Sequence, residues 1–208
     1  LQMADKLGIS IFGTSAKYIS SLESAGITPG EVSTYPRLRT ILSTGSPLVE
    51  KNFDFVYTQW KKEVQLSSIS GGTDIISCFA LGNPILPVKR GQIQCRGLGM
   101  KVEAFNESGA SLLNKKGELV CTQAFPSMPV YFWNDASGEK YASAYFSKYR
   151  GIWHHGDFIE ILDDGNVKIH GRSDTTLNPG GVRIGTSEIY QTVEQISEVE
   201  DSLVIGQP

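Results

Sequence analysis

The hydrophobic period changes once along this chain, and that change limits its architecture more than any other feature. Up to about residue 75, short β-like runs alternate with amphipathic helices, the pattern of an open α/β sheet. ISIFG reads as a strand. In TSAKYISSLESAG, Thr14 is placed to cap a helix, Tyr18, Ile19 and Leu22 supply an apolar stripe, and Gly26 ends it. RLRTILSTG predicts the next strand. VEKNFDFVYTQWKKEV carries Phe53, Val56 and Trp60 at helical spacing, and VQLSSISGG returns to the sheet. From Ile85 to His170 the runs shorten and are separated by Gly, Asn, Asp and Pro, which predicts an antiparallel sheet or small barrel.

The clearest hairpin is FIEILDDGNVKIH, with Asp164-Gly165 at its turn and Ile159, Ile161, Val167 and Ile169 alternating against polar neighbours. After residue 174 a new unit is expected: TSEIYQTVEQIS as a helix with Ile189, Val193 and Ile196 on one face, then DSLVIGQ as a strand. The expected division is thus 1–84, part of an α/β nucleotide-binding unit; 85–173, β-barrel-like; and 174–208, a hinge and the beginning of an α+β domain.

Composition decides which partners to consider. A formal charge of −3 over 208 residues lacks the electrostatic footprint of a general nucleic-acid binder. No apolar run approaches the ~20 residues of a membrane helix, and LQMADKLGIS lacks signal-peptide architecture. Cys78, Cys95 and Cys121 are odd in number and never in a C-x-x-C pattern, which fits a reducing, cytoplasmic setting rather than a disulfide framework or structural zinc. Leu1 stands where an initiator methionine would, so a piece of a longer chain is expected.

Four stretches carry candidate chemistry, each beside a plainer reading, which for WHHGDF is a strand-edge turn with exposed histidines and for HGRSDTTLNPGGVRIG a turn flanked by solvated surface charge. SISGGTDIIS ends a strand with Gly71, Gly72, Thr73 and Asp74. Glycines admit a ligand to the backbone there, threonine donates to phosphate oxygen, and aspartate ligates a hard cation; by itself the motif equally describes a turn. STGSPL sets Gly45, Ser46 and Pro47 after another strand, either as a ligand loop or as a helix start with Ser46 as cap. WHHGDF is a poor metal site, because adjacent histidines on a strand face opposite ways and His170 is the only other histidine. It is a better diol site: Asp157 can accept from both hydroxyls of a ribose, and Gly156 leaves room for the sugar. HGRSDTTLNPGGVRIG brackets a turn with Arg172 and Arg183, whose planar forks suit oxygen-rich anions.

The order of these stretches resembles the adenylate-forming superfamily of acyl- and aryl-CoA synthetases, peptide-synthetase adenylation domains and luciferases. STGSPL, SGGTD, GELV, WHHGDF and GRSDTTLNPGGVRIGTSEIY follow that family's order over essentially the whole chain. Within it, RGQIQCRGLGM, GELVCTQAFPSMPVYFWND and YFSKYRGIWHHGDF are most similar to ligases that activate acetoacetate.

The resemblance implies a partial acyl-CoA synthetase-like fold and an ATP-dependent, AMP-forming ligase in the parent protein, with ATP/AMP, Mg2+, CoA and acetoacetate as its ligands. It implies that Asp157 holds the ribose hydroxyls, Thr73 contacts the α-phosphate and Asp74 serves magnesium, a place most of the superfamily fills with glutamate. Gly45, Ser46, Pro47 and Gly72 would line the nucleotide. Arg172 and Arg183 would take the phosphate or ribose side, Asp174 would be the hinge, and Pro179 and Gly180 would line the approach of CoA. Gly71 and Gly72 fall in the acid pocket, where acetyl-CoA synthetases carry a tryptophan at the position of Gly71; its loss would admit a longer acid. The upstream phosphate loop and the C-terminal catalytic lysine are missing from the sequence, so the segment alone is expected to be inactive. Ligation of another short oxo or hydroxy acid, and a noncatalytic β-rich interaction module, are the alternatives.

Overall fold

In the computed structural model, residues 1–174, 176–177, 184–193, 196, 198–199 and 202–205 are described. The first part is the expected α/β arrangement. After the short helix α1 (Gln2–Lys6), strand β1 (Ile11–Ser15) leads into α2 (Ala16–Ser24), α3 (Pro29–Val32) and β2 (Thr40–Thr44). Helix α4 (Glu50–Phe55) continues as a wider π turn over Val56–Trp60 and returns to β3 (Gln65–Ser68). The three strands pair in parallel in the order β1-β2-β3. Ile19, Leu22, Ile41, Phe53, Val56, Trp60 and Leu66 form the core between sheet and helices. Each such large side chain, fully buried, contributes roughly 1.5–3 kcal/mol.

Two local expectations need correction. Thr14 is not the cap of α2: it pairs with Ser43 inside the sheet, and Ser15 accepts from the Tyr18 N–H at 3.1 Å instead. Either hydroxyl suits the role chemically, and the length of β1 decides which one stands at the boundary. The other end of α2 is as expected, with Gly26 at φ +65. Its N–H reaches the Glu23 carbonyl while that of Ile27 reaches Leu22, closing the helix in a left-handed turn. Nor do Ser46 and Pro47 begin a helix. Helix α4 starts at Glu50 after Val49, which leaves Gly45-Ser46-Pro47 as a loop at the end of β2.

From Ser70 onward pairing is antiparallel. Strands β4 (Ser70–Gly72), β5 (Ser77–Leu81) and β6 (Cys95–Arg96) make one small sheet. Strands β7 (Val102–Phe105), β8 (Ser111–Leu112), β9 (Gly117–Cys121), β10 (Trp153–Ile161) and β11 (Val167–Arg172) make another, ordered β11-β10-β9-β7-β8. This corrects the barrel expectation: among the described residues the sheet is open, with β11 and β8 at its edges. The β10–β11 hairpin has the expected register, Ile159 opposite Ile169 and Ile161 opposite Val167. Helix α5 (Glu139–Phe146) packs on this sheet, where Tyr145 stacks on the buried Trp153 at 3.6 Å between centroids. Its core, with Phe79, Val102, Leu119, Trp153 and Ile159, is distinct from the first.

Strands β12 (Thr176–Leu177) and β13 (Ile184–Gly185) pair, and helix α6 (Thr186–Val193) follows where TSEIYQTV predicts it. Of the last expected strand, 201–207, the described residues 202–205 have no regular structure, and the remaining residues lie outside the described ones.

Candidate active site

A cavity of about 550 Å³ opens where β2, β3 and β4 end and meets β10 and β11 from the other side. Gly45, Ser46 and Pro47 line it from the loop after β2, and Gly71, Gly72 and Thr73 from β4 and its turn. Asp157 and Arg172 line it from β10 and β11. Four stretches far apart in sequence therefore converge on one space. Arg183, Pro179 and Gly180 lie outside the described residues.

A bulge in β10 aims Asp157. His154 pairs with Val120 and Phe158 with Glu118, so four steps along β10 oppose two along β9. Gly156 takes φ +82 within this bulge, and a Cβ there would stand 3.0 Å from Arg172 Nη2. Glycine satisfies both demands, the left-handed backbone and the close approach. The bulge also splits the two histidines as their adjacency predicts. His155 lines the cavity and packs edge-on against Phe79, whereas His154 turns to Glu118 at 2.8 Å.

Burial dominates the electrostatics of this corner. Asp157 is 8% exposed, and desolvation pushes its carboxyl up to about 6 against the opposing pull of Arg172. Asp174 and Glu118 push in the same direction as burial. Arg172 Nη1 is 3.6 Å from Asp157 Oδ1, but its Nε donates to Asp174 Oδ1 at 2.9 Å and its Nη2 donates to Asp174 Oδ2. His155 Nε2 stands 3.7 Å from Asp157 Oδ2, and burial lowers the pKa of that imidazole. The result is an acceptor facing the cavity, flanked by a cation that another carboxylate holds.

Asp74 is exposed beside Thr73, with Oδ2 accepting from Tyr145 O–H at 2.5 Å and Oδ1 from the Ile75 N–H at 3.1 Å. Among the described residues no group of three His, Cys, Asp or Glu side chains could hold a metal. A single carboxylate with spare lone pairs does fit magnesium, which keeps its waters and takes its other ligands from substrate phosphate.

Gly71 lines the cavity and is also closely packed against the neighbouring strand. A Cβ there would lie 2.1 Å from the Ser77 carbonyl oxygen and 2.8 Å from Cys78 Cα. On this backbone a side chain at 71 is driven into β5. The close approach of β4 and β5 therefore favours glycine at this position. Sequence reading also overlooked Tyr145, which is 71 residues from Asp74 and carries no local signal. Glu118, within GELV, was visible as part of a motif but without a role.

None of the known protein-family models matches the chain. Against curated proteins it is 58% identical over 198 residues to the acetoacetyl-coenzyme A synthetase of Rhizobium meliloti (strain 1021), covering 95% of this chain and 30% of that protein. It is 52% identical over 206 residues to the acetoacetyl-CoA synthetase of Gallus gallus, covering 99% and 31%. Among solved structures, that of acetoacetyl-CoA synthetase from Streptomyces lividans superposes with a TM-score of 0.88 at 42% identity, covering 98% of this chain and 32% of that one. Over nearly its whole length the chain is thus similar to acetoacetyl-CoA synthetases. It spans about 30% of the length of the curated relatives it matches. The fold is shared beyond these relatives: an anthranilate CoA ligase crystallised with anthranoyl-AMP superposes with a TM-score of 0.75 at 16% identity, covering 94% of this chain and 36% of that one. No helix of the described residues is long and apolar enough to cross a membrane.

Proposed function

We propose that this segment is the nucleotide- and acid-binding part of a ligase that converts acetoacetate, ATP and CoA to acetoacetyl-CoA, AMP and pyrophosphate. The observation that carries the reading is the single cavity onto which Gly45–Pro47, Gly71–Thr73, Asp157 and Arg172 converge. The relatives' names point to the same reaction. The proposed division keeps 1–84 as the α/β unit, 85–173 as the β-rich unit and 174–208 as hinge and start of a further domain; two buried cores support two units, with Ile75, Phe79 and Ala80 already in the second core.

In the first half-reaction the acid's carboxylate oxygen attacks the α-phosphorus and pyrophosphate leaves. In the second, the sulfur of CoA attacks the acyl carbon of the mixed anhydride and AMP leaves. The chain's own residues position these groups and offset charge; no side-chain nucleophile is needed. Asp157, buried beside the cavity, accepts from the ribose hydroxyls. Thr73 donates to the α-phosphate, and Arg172 exchanges Asp174 for the nucleotide's oxygens. Gly45, Ser46, Pro47 and Gly72 present backbone along the nucleotide. Asp74 would hold magnesium, which when bound would supply charge neutralisation. Arg183, Pro179 and Gly180 keep their proposed parts beside the phosphate and the CoA arm.

The reaction is tested by acid-dependent exchange of pyrophosphate into ATP, run on the full-length protein with acetoacetate, 3-hydroxybutanoate, butanoate and acetate. The expected result is exchange that depends on the acid and is fastest with acetoacetate. A faster rate with another acid replaces the substrate, and exchange with none of them overturns the ligase.

A further inference from the structure

Glu118 sits in β9, is 5% exposed and is not among the residues lining the cavity. Its partners nevertheless come from three separate segments. Oε2 is 2.8 Å from His154 Nε2, Oε1 accepts from Lys148 Nζ, and the Ser173 hydroxyl donates to the same carboxylate. Burial alone would raise the acid's pKa, but these donors outweigh it and hold the group down to about 2, so Glu118 is an anion at every working pH. An anion taken this far out of water persists only while such donors surround it.

The placement of those donors points to a role. His154 is the last β10 residue in regular pairing before the bulge that turns Asp157 to the cavity. Ser173 follows β11 directly, and its N–H donates at 2.7 Å to the carbonyl of Gly156, inside that bulge. One carboxylate therefore ties down the strand entering the bulge and the segment that closes over it. Arg172 and Asp174 are the immediate neighbours of Ser173.

We propose that Glu118 is a positioning residue, which clamps both flanks of the His155–Asp157 bulge and thereby fixes Asp157 and Arg172 at the spacing a nucleotide needs. This rests on the nucleotide reading of the cavity. Glu118 does not touch the ligand; it acts through His154 and Ser173. A charge buried only for stability would change the folded fraction when removed and leave the affinity of the folded protein unchanged.

The test uses the full-length protein and its E118Q and S173A variants, with AMP affinity measured by calorimetry, the KM for acetoacetate by pyrophosphate exchange, and the melting temperature as a folding control. Loss of a hydrogen bond to a charged group predicts AMP binding weaker by about tenfold in E118Q and about threefold in S173A, with the acid KM changed by less than about twofold. The double variant is expected within about twofold of E118Q, because Ser173 acts through the same carboxylate. Unchanged AMP affinity in both single variants overturns the clamp. If E118Q does not fold, S173A decides alone, and its unchanged affinity overturns the proposal. Wild-type protein that fails to bind AMP overturns this proposal and the nucleotide reading together, whereas binding without exchange overturns only the ligase.

Discussion

Arg172 Nη1 stands 3.6 Å from Asp157 Oδ1, beyond hydrogen-bond distance, while Nε of the same guanidinium donates to Asp174 at 2.9 Å. The cation is thus held by the residue proposed as hinge and only attracts the residue proposed to bind ribose. Among the described residues Asp157 is left buried and charged at neutral pH, with the Arg172 guanidinium near it but outside hydrogen-bond distance. That condition is costly for the folded chain and useful for a ligand with two hydroxyls to donate.

The cost has a pH signature. The folded pKa of Asp157 is about 6 against an ordinary 3.8, so between those values the folded chain keeps a proton that the unfolded chain has released. The contribution is therefore full below about pH 3.8 and is lost as pH rises through about 6. Replacing Asp157 by Asn removes the loss: the variant is expected to be more stable than the parent by about 1–3 kcal/mol near pH 7 and equal to it near pH 4. Denaturant midpoints at the two pH values check this, and equal midpoints near neutrality contradict it.

Gly71 is predicted to respond as a packing residue. A Cβ there meets the Ser77 carbonyl at 2.1 Å, so Gly71→Ala should destabilise by about 1–3 kcal/mol, the usual cost of overpacking, and Gly71→Trp by more. Thermal melts of purified protein read the loss. A Gly71→Trp variant as stable as the parent, with its acid preference narrowed toward acetate, would favour the pocket-wall role instead.

Proline at position 174 fixes φ and removes the N–H donor at the proposed hinge. Asp174→Pro is expected to reduce thioester formation and adenylation unequally, as in an enzyme that must rotate between two arrangements. The two rates are separable as pyrophosphate exchange and as transfer from the preformed acyl-adenylate to CoA. Equal reduction of both speaks against rotation about this residue.

What could be read from sequence followed from local chemistry. The period change, the Asp164-Gly165 hairpin and the opposite faces of His154 and His155 all arise from backbone geometry that neighbours in sequence determine. Thr14 and Ser15 are adjacent residues equally able to cap, and only the extent of β1 pairing separates them. The Tyr145–Asp74 bond joins residues far apart, and the bulge at Gly156 depends on how β9 registers against β10. Those relations belong to tertiary structure, and no run of residues encodes them. Gly71 lines the cavity, and its close contact with the Ser77 carbonyl depends on the pairing of β4 with β5, which no local run of sequence encodes.

The central claim is that the cavity beside the β10 bulge holds a nucleotide through Asp157. The most direct measurement is the AMP dissociation constant of the full-length protein and of its Asp157→Ala variant, by calorimetry near pH 7.5. Removing an acceptor for two ribose hydroxyls predicts affinity weaker by about tenfold to a hundredfold, with the melting temperature not lowered. An unchanged dissociation constant would contradict the account.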